Sequence, residues 1–342
     1  MILLAWRLWL RRSVWLVSVY GLLIVMLLYE RVIHSTAFSS FDIQSLVDGT
    51  LPLALAAMAQ TCVVLTGGID LSVGPVITLA NVAAANWMLH AGFGSSLAMA
   101  LAIMVGGAFI GVVTGMAITI TRIPDIIVTL ATGTIWGGVA LAIMPTPGGG
   151  APQAFQDFLQ GGVGSSAIPV GLIVLALAVL LLWLPIRRSR PGLAIYALGS
   201  NRNAAFLSGV NIGRARITAY ALGGVFSAMA GLVLTAQTSN GAAGSGASYT
   251  LNSIAAIVIG GVALTGGRGG VMGAISAAFI LQLISAILGY LNVDPNYGTV
   301  IQGVIVVLAV MIGGLLLRPD DAKRYLSLAR RLFTRSSMAR QR

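Results

Sequence analysis

The sequence predicts an all-α polytopic membrane protein of about ten transmembrane helices, with broken or re-entrant segments and a possible internal repeat. Three observations carry this. Hydrophobic residues make up 57% of the 342-residue chain and charged residues only 8%, with a mean hydropathy of +0.94. A soluble domain carries roughly 25% charged residues, so there is too little polar surface here to cover a water-facing globule. Apolar runs of about 20 residues recur, the length that crosses a hydrocarbon core of roughly 30 Å. The ten-residue alternation of a membrane β-barrel is absent.

In order, the expected spans are 14–33, 47–66, 71–90, 97–120, 125–143, 168–185, 217–236, 250–264, 271–291 and 298–317. The first follows Arg7, Arg11 and Arg12 and is followed by Glu30, Arg31 and His34 rather than by a small-x-small cleavage site, so it reads as an uncleaved helix. With the N-terminus in the cytoplasm, nineteen of the 20 basic residues fall on the cytoplasmic side and only Arg31 outside. Both termini are therefore expected in the cytoplasm. Eight of the basic residues lie in the tail from Arg318 to Arg342. That placement explains the net charge of +11 as orientation signal and contact with anionic membrane lipid, and excludes nucleic acid as a partner, since no basic soluble module is present.

Between the spans, residues 144–167 carry Pro145, Pro147, Gly148, Gly149, Gly150 and Pro152 and should form an external loop. Residues 186–216 form the main cytoplasmic loop. Gly107, Gly111 and Gly115 share one helix face where a second backbone can approach, and Gly133 and Gly137 repeat the spacing. Leu65-Thr66-Gly67-Gly68 with Gly74 recurs as Leu264-Thr265-Gly266-Gly267 with Gly273. This topology puts both copies on the cytoplasmic side, a parallel relation. Duplicated halves of transporters are often inverted, and both relations stay open here.

Two constellations stand out. In Thr66-Gly67-Gly68-Ile69-Asp70-Leu71-Ser72-Val73-Gly74, two glycines, an acid and a serine interrupt apolar spans and predict a broken segment. Asp70 is a functional candidate as an acid at membrane depth, or a helix cap; the two roles are compatible. In Gly199–Asn211, Asn201 or Asn203 can cap a two-turn helix bearing Ala204, Ala205, Phe206 and Leu207, with Ser208 and Gly209 ending it. Phe206 and Leu207 would form an apolar knob on the largest cytoplasmic loop. Cys62 is the only cysteine, so no intramolecular disulfide is possible; His34 and His90 lie at external helix ends; no metal site and no catalytic residues are expected. The only lysine, Lys323, opens no Gly-x-x-x-x-Gly-Lys phosphate loop.

Gly67–Gly74, Ile123-Pro124 followed by Ile127–Thr132, Gly199–Gly209 and Ala255–Gly261 together resemble, in order from about residue 45 to 315, the permeases of ribose-type ABC sugar importers. Asp125 departs from the small or aromatic residue usual after that proline. The resemblance implies one transmembrane permease domain over 1–342, with 186–216 as cytoplasmic coupling loop and 318–342 as basic cytoplasmic tail. It implies a multi-pass protein of the bacterial inner (plasma) membrane that translocates a monosaccharide of the pentose or hexose class. It also implies a second permease copy or homologous permease, a periplasmic sugar-binding protein, and a cytoplasmic ATPase that carries the ATP and Mg; no cofactor is expected on this chain. Asn201 and Ala204 to Gly209 would dock into the ATPase. A neutral sugar needs uncharged hydrogen-bonding groups, and Asn81, Asn86, Thr129, Thr132, Asn252 and Gln282 are the candidate path residues, with the acid Asp70 beside them; for any single one of the six, polar glue between helices is the more ordinary reading. An ion-coupled transporter is the competing class, disfavoured because mid-helix acids are nearly absent. A membrane-embedded enzyme comes third, because no acid–base pair is apparent.

The charge bias makes a direct prediction. A membrane-impermeant thiol reagent added outside should label Asp157→Cys and miss Ala5→Cys, Ser200→Cys and Arg335→Cys; labelling of Ser200→Cys would overturn the orientation.

Overall fold

The computed structural model describes residues 2–34, 36–163, 168–294 and, beyond these, 297, 298, 300, 301, 303, 304, 307, 308 and 311. The helices are α1 (Ile2–Ile33), α2 (Ser40–Val64), α3 (Val73–Met88), α4 (Phe93–Thr121), α5 (Asp125–Ile143), α6 (Gln153–Gln160), α7 (Val170–Leu177), α8 (Leu184–Arg188), α9 (Arg190–Ser200), α10 (Arg202–Leu207), α11 (Ile212–Thr238), α12 (Ala247–Ile259) and α13 (Val271–Tyr290). Seven helical stretches among the described residues are long and apolar enough to cross a membrane, with α3 and α12 as shorter apolar helices. The expected all-α membrane architecture is the observed one. Of the tenth expected span, 298–317, only eight residues are described, all helical; the tail 318–342 lies outside the described residues.

Helix ends differ from the sequence reading where a cap, not hydropathy, sets them. α2 starts seven residues before residue 47 because Ser39 caps it, accepting from the Asp42 N–H at 3.2 Å. α11 starts at Ile212 because Asn211 accepts from the Arg214 N–H at 2.9 Å. Residues 144–167 are not a bare loop: α6 lies within them, burying Phe155 and Leu159, followed by the two-residue strands β1 (Gly162–Val163) and β2 (Ile168–Pro169), paired antiparallel. α7 runs into α8 through a π-helical turn at Ala178–Trp183. Pro185 in the first turn of α8 has no N–H to give the preceding turn, and the widened ladder absorbs that loss.

α2 and α11 form the buried centre, and the core cluster joins them to α12, α13 and parts of α7 and α9. Pro52 interrupts α2 without opening it. The proline leaves the Asp48 carbonyl without its helical donor, and the Gln237 side chain of α11 supplies one at 2.5 Å. On α4 the expected glycine face meets α11 backbone to backbone: a Cβ on Gly107 would strike the Gly224 carbonyl and one on Gly111 the Tyr220 carbonyl. A Cβ on Gly133 would likewise stand 3.3–3.4 Å from Pro75 and Ser72, but Gly137 faces open space, so only half of that second pair is a packing device.

The loops sort into two ends. Residues 65–72, 122–124, 189–211 and 260–270 gather at one, through contacts described below. At the other, Gly148 pairs with Gly241, Gly150 donates to the Ala85 carbonyl at 2.9 Å and His34 stacks on Tyr290 at 4.1 Å. This is the alternation the expected topology requires.

Gly224→Leu should cost about 1–3 kcal/mol by overpacking, read as a fall in the thermal unfolding midpoint of purified protein. Gly137→Ala should leave that midpoint unchanged or raise stability by up to about 1 kcal/mol.

Candidate functional site

The two copies of the Leu-Thr-Gly-Gly echo touch. The Gly267 N–H donates to the Leu65 carbonyl at 3.0 Å, so each break in the bundle satisfies part of the other's free backbone. They therefore lie at the same end of the molecule. Gly199, the last residue but one of α9, is wedged against both: a Cβ there would strike the Leu65 carbonyl and the Gly267 nitrogen. Tyr196, one turn earlier, donates its hydroxyl to the Gly269 carbonyl at 2.9 Å. α9 is thus clamped onto the junction of the two broken segments.

Asp70 sits buried inside the first break. Its carboxylate accepts from the Ser72 N–H at 2.8 Å and the Ser72 hydroxyl at 2.5 Å, turning the chain into α3. Ser72, not Asp70, stands at the N-cap of α3, so Asp70 shapes the turn before the helix rather than capping the helix itself. Gln60 of α2, with its amide oriented to satisfy both groups, donates to the Asp70 carbonyl at 3.0 Å and accepts from its N–H at 3.3 Å. Thr129 of α5 donates to the Ile69 carbonyl at 3.2 Å. Asp125, at the start of α5, crowds Gly68 so closely that a Cβ would strike its carboxylate. It accepts from the Tyr220 hydroxyl at 3.1 Å and pairs with Arg216 at 3.8 Å. Asp125 therefore ties the first break to the base of α11.

Immediately after α9, Asn201 caps α10, accepting from the Ala204 N–H at 3.0 Å. Ala205 is buried, Ala204 is exposed, Ser208 ends the helix and Gly209 turns the chain with φ +78°. Phe206 and Leu207 project from it, 68% and 84% exposed. The expected knob exists, rooted in the junction through α9.

The remaining path candidates divide. Asn252 and Gln282 come together in a polar cavity of about 120 Å³ between α2, α12 and α13, joined by Gly49, Ser248, Tyr249 and Ser285. No lining residue carries a formal charge. Asn81 is fully buried elsewhere as a knot: it donates to the Thr235 hydroxyl at 2.9 Å and the Asn240 carbonyl at 3.0 Å, and accepts from the Ala242 N–H and the Ser245 hydroxyl. Asn86 is exposed at the far end of α3, and Thr132 bonds within α5 to the Val128 carbonyl at 3.0 Å. Gln60, Tyr196, Tyr220 and Arg216 escaped the sequence reading, because each is defined by a partner distant in the chain. Among the described residues no three or more His, Cys, Asp or Glu side chains cluster as metal ligands.

This is the architecture of a multi-pass membrane permease. A family model described as branched-chain amino acid transport system / permease component matches residues 42–310, and the chain belongs to that family. It is 33% identical over 296 residues to the ribose import permease protein of Bacillus subtilis, covering 85% of this chain and 90% of the relative. It is 32% identical over 285 residues to the fructose import permease protein of Rhizobium meliloti, covering 80% and 78%. It is 33% identical over 294 residues to the galactose/methyl galactoside import permease protein of Haemophilus influenzae, covering 81% and 86%. No solved structure matches significantly.

Asp70→Asn keeps an acceptor for Ser72 while removing the charge. Solute uptake should fall more than the amount of assembled protein; unchanged uptake would leave Asp70 a structural turn residue.

Proposed function

We propose that this chain is one of two permease copies, or one of a pair of homologous permeases, in an ATP-driven importer that carries a neutral monosaccharide, pentose or hexose, across the bacterial inner membrane. An external sugar-binding protein delivers the solute, a separate cytoplasmic ATPase pair supplies the energy and holds ATP and Mg, and both termini face the cytoplasm. The observation that carries the substrate class is the cavity where Asn252, Gln282, Ser248, Tyr249 and Ser285 converge with no formal charge. A sugar's hydroxyls need neutral donors and acceptors. An amino acid, the cargo in the family description, brings two opposite charges that this cavity cannot match. The three relatives, import permeases for ribose, fructose and galactose/methyl galactoside, support the same class.

Coupling to the ATPase runs through α10. Its exposed Phe206 and Leu207 dock into the partner, and a push on α10 passes through α9 to Gly199 and Tyr196, hence to both breaks at once. Asp70, Thr129 and Asp125 then relay it to α3, α5 and α11. Asp70, Asn81, Asn86, Thr129 and Thr132 stay within this proposal as path or path-supporting groups.

The decisive experiment reconstitutes the permease with its ATPase and binding protein and measures uptake of labelled ribose, fructose, galactose and leucine. ATP-dependent uptake of a sugar and none of leucine supports the reading; the reverse sinks it. Within the same assay, Asn252→Leu with Gln282→Leu should lower sugar uptake while ATPase co-purification is retained. Phe206→Ala with Leu207→Ala should do the opposite first. Each truncation removes burial worth roughly 1–3 kcal/mol, so ATPase pull-down should weaken tenfold or more although the membrane domain still folds.

A further inference from the structure

One concavity of the molecule belongs neither to the junction nor to the polar cavity. It is a groove of about 670 Å³ between α9 and the first turns of α11, at the junction end. Its walls are aliphatic, with Leu193 and Ala197 from α9 facing Ile217 from α11, and its rim carries Arg190 and Arg214. Leu193 is 64% exposed, an apolar side chain left uncovered by the described residues.

Two further observations say what covers it. The first is depth. α9 begins two residues after the membrane stretch Val170–Arg188 ends, while Ile217 and Thr218 already belong to the membrane-crossing helix Ile212–Thr238. The groove therefore straddles the level where hydrocarbon gives way to headgroups. The second is charge. Residues 186–216 hold six arginines and no Asp or Glu. Arg216 is paired with Asp125; Arg190 and Arg214 are exposed and form no ion pair among the described residues.

An apolar trough rimmed by unpaired cations at the membrane boundary matches an amphiphile with an anionic head. We propose that this groove binds an anionic phospholipid of the adjoining leaflet, its acyl chain along Leu193, Ala197 and Ile217 and its phosphate held by Arg190 and Arg214. A second copy of the chain would bring the same acid-free basic segment against this one. The chain's own tail, with eight basic residues between Arg318 and Arg342, would be repelled as well. A zwitterionic lipid fills the trough but leaves the arginines without net compensation.

The test is native mass spectrometry of the full chain, with phosphatidylglycerol, phosphatidylcholine of the same acyl chains, and glycerol 3-phosphate as the headgroup alone. Wild type should retain one phosphatidylglycerol per chain in preference to phosphatidylcholine. Arg190→Gln with Arg214→Gln should weaken that binding by roughly 25-fold, about fivefold for each arginine. Ala197→Trp, which fills the trough and keeps both arginines, should weaken it comparably; having two independent variants keeps the test valid if one misfolds. Equal retention of both lipids by wild type, indifference to both variants, or competition by glycerol 3-phosphate as effective as by the lipid would overturn the proposal. So would displacement of the lipid on adding the ATPase subunit, which would make the groove a protein-docking surface.

Discussion

A backbone amide inside a bilayer has no water to turn to, and each one left unpaired costs several kcal/mol. Two apolar helices here, α3 with 16 residues and α12 with 13, reach only about 24 and 20 Å at 1.5 Å per residue, short of a hydrocarbon core of roughly 30 Å. The chain must complete both crossings with non-helical segments, and those segments must be satisfied by protein. The hydrogen bond from Gly267 to Leu65 is the solution: the two breaks are placed against each other and answer each other's free groups. Much else follows from that contact. Small residues are needed where the segments meet, α9 has to lie across them with a glycine at its closest point, and Gln60 and Thr129 give hydrogen bonds to the Asp70 and Ile69 backbone.

That dependence explains which parts were legible in the sequence. Apolar length is a local quantity, so the helices and their order could be read, and so could the broken segments, because Thr-Gly-Gly between apolar runs has no good continuous helix. Caps moved the boundaries of α2 and α11, since one Ser or Asn side chain decides a helix end more sharply than a gradient of hydropathy. The echo at 65–68 and 264–267 was visible as a repeat, but its meaning was not: the two copies are hydrogen-bond partners, a relation that no spacing along the chain encodes. Asn81 and Asn252 look alike in sequence, each an amide in an apolar helix. One is consumed by four partners on α11 and the loop after it, and the other faces a cavity. Gln237 is the same lesson reversed, its role set by Pro52, 185 positions away, which leaves the Asp48 carbonyl without a donor.

Where charge sits constrains how such a molecule can be driven. Among the described residues the acids fall at two levels. Asp70 and Asp125 belong to the junction end, while Glu30, Asp42, Asp157 and Asp294 belong to the opposite end, with Asp48 in the third turn of α2 from that end. Among the described residues Asp48 is the one carboxylate set inside a span, and between it and the junction end the polar groups are amides and hydroxyls. A carrier driven by an ion gradient needs a carboxylate at mid-depth to feel the gradient. A permease driven from a separate ATPase needs instead a stiff connection from its surface to its breaks. α10 rooted in α9, with α9 clamped to both broken segments through Gly199 and Tyr196, has that form. A middle poor in charge and a junction end tied to α9 and α10 are thus two sides of one arrangement, the one that the proposed ATP-driven uptake of a neutral solute would require.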